Sequence, residues 1–192
     1  MKVYLSYEIR WFSSAALREV EMLFRNHGSI IKPDTGRTDR YLINNRKTFS
    51  LKVREGRLEF KGRDKSGEKI EGIGTPSYWT KWSYELEGSQ VLNSFSADDY
   101  LDVKKDRTLL FTQRNDPGFY LEGPGNRACQ LEYGMISVKD KTFYTLGFEA
   151  FGPDTSTLHH EMRHALELMK PVLSDIVETE PIDYPDLLAG LS

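Results

Sequence analysis

From Lys2 to Phe12 the chain alternates: Val3, Leu5, Tyr7, Ile9 and Trp11 fall on one face of an extended segment, Ser6, Glu8 and Arg10 on the other. This pattern predicts a half-buried strand. Ser13 or Ser14 can then cap a helix in which Leu17, Val20, Leu23 and Phe24 recur at helical spacing, with Gly28 as its stop. Between His27 and Arg40, Gly, Pro and Asp-Thr-Gly turn signals predict a loop with room for a short strand at Ile30 and Ile31. Two alternating runs, Phe49 to Arg54 and Arg57 to Arg63, meet at Glu55-Gly56 and predict a β-hairpin. Further strands are predicted at Tyr78 to Glu87, Leu101 to Gln113, Gln130 to Val138 and Phe143 to Phe151, punctuated by Asp-Pro-Gly, Gly-Pro-Gly and Lys-Asp-Lys turns. A second helix runs from Asp154 or Thr155 to about Met169, with Leu158, Met162, Ala165 and Met169 on one face, and Pro171 and Pro181 break up the C-terminal tail. No repeat or linker divides the 192 residues, so a single domain over 1–192 is expected, with the C-terminal helix and tail beginning at about 154.

Composition narrows the class. Hydrophobic residues at 39% and charged residues at 29% exclude a membrane-spanning helical protein, and 12% aromatics exclude a disordered one. With 26 basic and 29 acidic side chains, nothing global marks a nucleic-acid or membrane-surface binder, so the placement of charge matters more than its total. The lone Cys129 sits on the apolar side of a strand and reads as a buried thiol. The N-terminus alternates where a signal peptide would run apolar, and a reducing cytoplasm is the expected location.

The hairpin's polar face carries Lys52, Arg54, Arg57, Lys61 and Arg63, interrupted by Glu59. An open sheet could leave that face in water. A closed barrel would instead turn it inward and remove exposed edges. The aromatics opposite, Tyr7, Trp11, Phe60 and Phe148, need cover, and two amphipathic helices are available to give it. The expected fold is therefore α+β: a closed or nearly closed antiparallel β-barrel with helices packed outside. A cavity lined by Lys52, Arg54, Lys61, Lys105 and Arg107 would attract phosphate, since Arg offers a planar fork and Lys a mobile point charge. Glu8, Glu132 and Glu149 occupy polar positions of separate strands; converging, they could hold a hard divalent ion such as Mg²⁺ against phosphate oxygens. The plain alternative is that each acid pairs with a neighbouring Arg or Lys.

These segments, SYEIRW, TDRYLINNRKTFSLKVREGRLEFKGR, VKKDR, and CQLEYGMISV followed by YTLGFEAFG, resemble successive strands of the CYTH superfamily, the triphosphate tunnel metalloenzymes, over most of the chain. The resemblance implies an eight-stranded antiparallel tunnel that binds inorganic triphosphate, nucleoside triphosphates, thiamine triphosphate or RNA ends and hydrolyses them with Mg²⁺ or Mn²⁺; some members cyclise ATP. It places Glu8 and Arg10 on the family's N-terminal Glu-x-Glu-x-Lys strand and Lys52, Arg54 and Lys61 on the basic strands. Lys105 and Arg107 match the later basic strand, and Glu149 a terminal acidic ligand. On this basis Glu8 and Glu149 would be catalytic, and the convergence of polar faces noted above would add Glu132 as a third metal ligand. Ser6 stands where the family has its first glutamate, and Phe151 where a second acid would follow Glu149. Serine is a weaker metal donor than carboxylate. A non-catalytic polyphosphate or nucleotide binding module is thus the second reading.

A third is a zinc metallopeptidase, because His160-Glu161-Met162-Arg163-His164 satisfies His-Glu-x-x-His. Helical geometry points both histidines away from the apolar stripe, and no third ligand comes at short spacing after them. The expected partner is a triphosphate-containing small molecule or a polyphosphate, with no membrane and no specific nucleic acid.

Overall fold

A computed structural model describes residues 2–26, 36–44, 46–86, 97–113, 127–173 and 180–191; the side chains of 2, 24–26, 97 and 107–113 lie outside that description. Within it run β1 (Lys2–Ser13), α1 (Arg18–Asn26), β2 (Arg37–Leu42), β3 (Phe49–Arg54), β4 (Arg57–Ser66) and β5 (Ser77–Glu85). After these come β6 (Tyr100–Gln113), β7 (Ala128–Val138), β8 (Lys141–Phe151), α2 (Thr155–Leu173) and α3 (Tyr184–Ala189). The strands close into a barrel in the order β1-β5-β4-β3-β2-β6-β7-β8, and every neighbouring pair is antiparallel. Among the described residues no helix is long and apolar enough to cross a membrane.

Strand alternation decides what lies inside. Tyr7, Ile9 and Trp11 of β1, Leu131 and Tyr133 of β7 and Leu146 and Phe148 of β8 face outward, buried beneath Leu158, Met162, Ala165 and Met169 of α2. Trp11 meets Phe148 edge-on, ring centroids 5.8 Å apart. The expected apolar stripe of α2 is therefore the core seam. Cys129 is fully buried in the same cluster, and burial pushes its thiol pKa well up, which suits an inert side chain. Phe60 differs from expectation: it packs beside Phe49 and Trp82 on the outer face and belongs to no helix-covered cluster. The hairpin turn is as predicted, with Glu55 at φ 48° and Gly56 at φ 72°, the paired left-handed conformations of a type I′ turn.

Three elements depart from the sequence reading. The stretch up to Arg40 was expected to be a loop, yet β2 begins at Arg37, because Arg37, Asp39 and Tyr41 find partners inside the barrel. Gly28 and the expected strand at Ile30 and Ile31 lie outside the described residues. The second helix continues through Pro171 to Leu173; in the last turn the missing N–H costs one bond, while Val172 and Leu173 bury against the barrel.

The third departure is α3, opened by Asp183 with Pro185 in its first turn. Its Tyr184, Leu187 and Leu188 pack on Tyr41, Leu101, Val103, Ile136 and Val138, which face the barrel interior at one end. The approach is fixed by the Ile182 amide, which donates to the Arg10 carbonyl at 2.9 Å, and by Pro181 against Gly74. Gly74 has φ 123°, and a Cβ there would collide with the Pro181 ring. One end of the barrel is thus apolar inside and plugged by the C-terminal helix.

Candidate functional site

Behind the plug lies a cavity of about 330 Å³, lined by side chains from β1 through β8 and by Asp183, Tyr184 and Pro185. Of the residues expected to form a site, Glu8, Arg10, Lys52, Arg54, Lys61, Lys105, Glu132 and Glu149 all line this one space. The Arg107 side chain lies outside the described residues; its backbone pairs with Gly134.

Cross-strand register sets the acidic wall. Glu8 of β1 lies opposite Glu149 of β8, which lies opposite Gln130 of β7. One rung along, Arg10 lies opposite Gly147, which lies opposite Glu132. Gly147 has no side chain to intervene, so Arg10 Nη1 reaches across it to donate to Glu132 Oε1 at 3.0 Å and to Thr145 Oγ1 at 2.9 Å. A Cβ at Gly147 would strike the guanidinium. Burial works against the Arg10 charge, but Glu132, Tyr184 and Glu8 together raise its pKa. Glu149 shows the opposite strain: the adjacent Glu8 charge first, and burial second, hold its carboxyl above the ordinary range. Glu8 accepts from Ser6 Oγ on one oxygen and pairs with Lys61 on the other.

The opposite wall is cationic. Asp39, fully buried, takes ion pairs from Arg37 at 3.2 Å and from Lys52 and Lys105 at 3.3 Å each. Glu59 takes Arg54 at 3.0 Å, Lys52 at 3.1 Å and Lys81 at 3.9 Å. Two carboxylates therefore face five cations. Burial opposes ionisation of Asp39, yet Lys52, Lys105 and Arg37 bring its pKa down to about 2. Lys105 sits 3.9 Å over the Tyr184 ring, and burial, with Lys52 nearby, lowers its pKa. The lumen is consequently polarised, with carboxylates gathered on β1 and β8 and excess positive charge on β3, β5 and β6.

Sequence reasoning had not placed Arg37, Asp39, Lys81, Trp79 or the C-terminal Asp183 and Tyr184 in the site. The alternation Arg37-x-Asp39-x-Tyr41 was the available signal for β2, masked by the turn residues before it. Trp79 Nε1 and the Tyr184 hydroxyl, both buried on the lining, make no hydrogen bond among the described residues. Burial first of all pushes the Tyr184 pKa up to about 12, leaving the hydroxyl a donor at neutral pH.

Whether these residues suit a divalent ion turns on the acid pair. Glu8 beside a Glu149 with raised pKa is a like-charge pair that a hard cation would relieve. Among the described residues no group of three or more His, Cys, Asp or Glu is arranged to hold a metal, and Glu132 is turned to Arg10. The fit is to an ion that keeps water and phosphate oxygens in most positions, as Mg²⁺ does, and not to a protein-enclosed one.

The peptidase reading fails on geometry. Glu161, which would be the general base, is fully buried under α2, with Arg127 at 3.9 Å, while His160 and His164 face solvent. His159 turns elsewhere, its ring against Tyr7 and its Nε2 bonded to the Tyr78 hydroxyl.

No family model matches the chain, and no curated protein matches it. Among solved structures it is similar to PH1012 from Pyrococcus horikoshii OT3, at 13% identity and a TM-score of 0.47, over 86% of this chain and 89% of that one. It is also similar to bh2851 from Bacillus halodurans, described as a "putative adenylate cyclase", at 11% identity and a TM-score of 0.45, over 94% and 96% of the two chains.

Proposed function

We propose that the protein binds a phosphate-rich anion, a triphosphate or polyphosphate, within the barrel and hydrolyses it with the help of a divalent cation. The observation that carries this reading is the polarised lumen: Asp39 and Glu59 face Arg37, Lys52, Arg54, Lys81 and Lys105 across ion pairs of 3.0 to 3.9 Å. An extended polyanion would supply the missing negative charge, and its oxygens would meet guanidinium forks and ammonium groups in a space closed at one end by α3. Lys61 and Arg10 would reach it from the acidic side, and Trp79 and Tyr184 offer two unused donors. Glu8 and Glu149 would hold Mg²⁺ or Mn²⁺, which when bound would neutralise phosphate charge and polarise a phosphoryl oxygen. The chain's own part is to align the phosphates, restrict water and hold the Glu8 carboxyl in place through Lys61.

A binding module without hydrolysis is favoured by a different observation: both Glu8 oxygens are engaged, by Ser6 and Lys61, in the absence of a third arranged acid among the described residues. Titration calorimetry with inorganic triphosphate, with and without Mg²⁺, followed by a phosphate-release assay, separates these. The expected result is micromolar or tighter binding strengthened by Mg²⁺, with phosphate released. Binding without release selects the module, and no binding overturns both.

A further inference from the structure

His160 and His164 are left over from the tunnel and from the discarded peptidase motif. They lie one turn apart on the solvent face of α2, with ring centroids 4.5 Å apart. Neither ring makes a hydrogen bond or ion pair with any other described residue, in contrast to His159 next door, which is committed to Tyr78. The helix beneath them is held rigid by Leu158, Met162, Ala165 and Met169, all buried in the main core. Two imidazoles presented side by side in this way can chelate: neither ring is engaged by another described polar group, and the helix sets the spacing of their attachment points.

We propose that His160 and His164 form a two-nitrogen binding site for a divalent transition metal of the zinc, nickel and copper group, on the outside of the barrel and independent of the tunnel. Imidazole nitrogen suits these ions and does not suit Mg²⁺ or Ca²⁺, which take oxygen. No third His, Cys, Asp or Glu among the described residues joins the pair. Among the described residues the remaining coordination positions are therefore open to water or to other donor atoms, as at a loading or bridging point. The buried Glu161 takes no part, which separates the site from hydrolytic chemistry.

The test is calorimetric titration of the full, untagged chain with Zn²⁺ in the presence of excess Mg²⁺. The expected result is one Zn²⁺ bound per chain, with affinity reduced at least tenfold by either His160→Ala or His164→Ala and retained in Arg163→Ala, an exposed neighbour that supplies no ligand. Both histidines are exposed, so the variants should keep the parent's circular dichroism and thermal transition. With Cu²⁺ in place of Zn²⁺, electron paramagnetic resonance should show nitrogen coupling in the parent that is lost in the double histidine variant. Unchanged Zn²⁺ affinity in both single variants, or displacement of Zn²⁺ by Mg²⁺, would overturn the proposal by moving the ion to oxygen ligands elsewhere.

Discussion

Replacing Asp39 by Asn keeps shape and volume while removing the charge on which Arg37, Lys52 and Lys105 converge. The carboxyl is fully buried, and its pKa falls from 3.8 to about 2 on folding, which corresponds to about 2 kcal/mol of folded-state stability. For a chain of this length that is a loss of about 4–8 °C in melting temperature at pH 7. The sign comes from the direction of the shift. A carboxyl whose folded pKa is depressed contributes fully above its unfolded value, and the contribution disappears as pH falls through the folded value. The gap between parent and Asp39→Asn should therefore be largest above about pH 4 and shrink as pH falls towards 2. Added triphosphate at pH 7 should restore more stability to the variant than it adds to the parent, because the anion then meets Arg37, Lys52 and Lys105 with one fewer competing carboxylate. Thermal denaturation across pH, with and without ligand, reads both effects. An Asp39→Asn protein as stable as the parent at pH 7, or a gap that does not change down to pH 2, would refute the reasoning.

Further outcomes are expected for the lining residues. Arg54→Ala combined with Lys61→Ala should weaken triphosphate binding at least tenfold by calorimetry, since charge-assisted contacts to phosphate contribute about 1.5–3 kcal/mol each. Glu8→Gln should abolish Mg²⁺-dependent hydrolysis while sparing much of the anion binding, and a carbon-detected carboxyl titration should show the Glu149 pKa moving down once its charged neighbour is gone; Ser6→Glu should raise Mg²⁺ affinity. Gly147→Ala should drive Arg10 off Glu132, lowering stability and anion affinity together, and an unaffected variant would mean that the Arg10 bridge does not depend on the bare rung.

The barrel was legible because period-two alternation is a local signal: β1, the β3–β4 hairpin, β7 and β8 stand close to where their apolar and polar positions put them. The inward set Glu8, Arg10, Lys52, Arg54 and Lys61 came from the same alternation once the aromatics had assigned an outside. The features that could not be read depend on distant partners. β2 is short and half charged, and its place in the sheet depends on Asp39 finding Lys52 and Lys105 on the flanking strands β3 and β6. A six-residue α3 has no amphipathic period long enough to detect, and its meaning lies in the apolar mouth it fills. The rung of Arg10, Gly147 and Glu132 is a fact of register between β1, β8 and β7, which alternation alone leaves free to slide by two residues.

The pairing of β1 with β8 joins Ser6–Ser13 to Tyr144–Phe151, the longest reach in sequence of any strand pairing described. Such a contact carries the largest loop-closure entropy of any strand pairing in the barrel, so it belongs among the late events of barrel closure. Glu8 and Glu149 stand on these two strands. The carboxylate pair therefore does not exist in any intermediate whose seam is still open, and a ligand that needs both acids can speed folding only after the ring has shut.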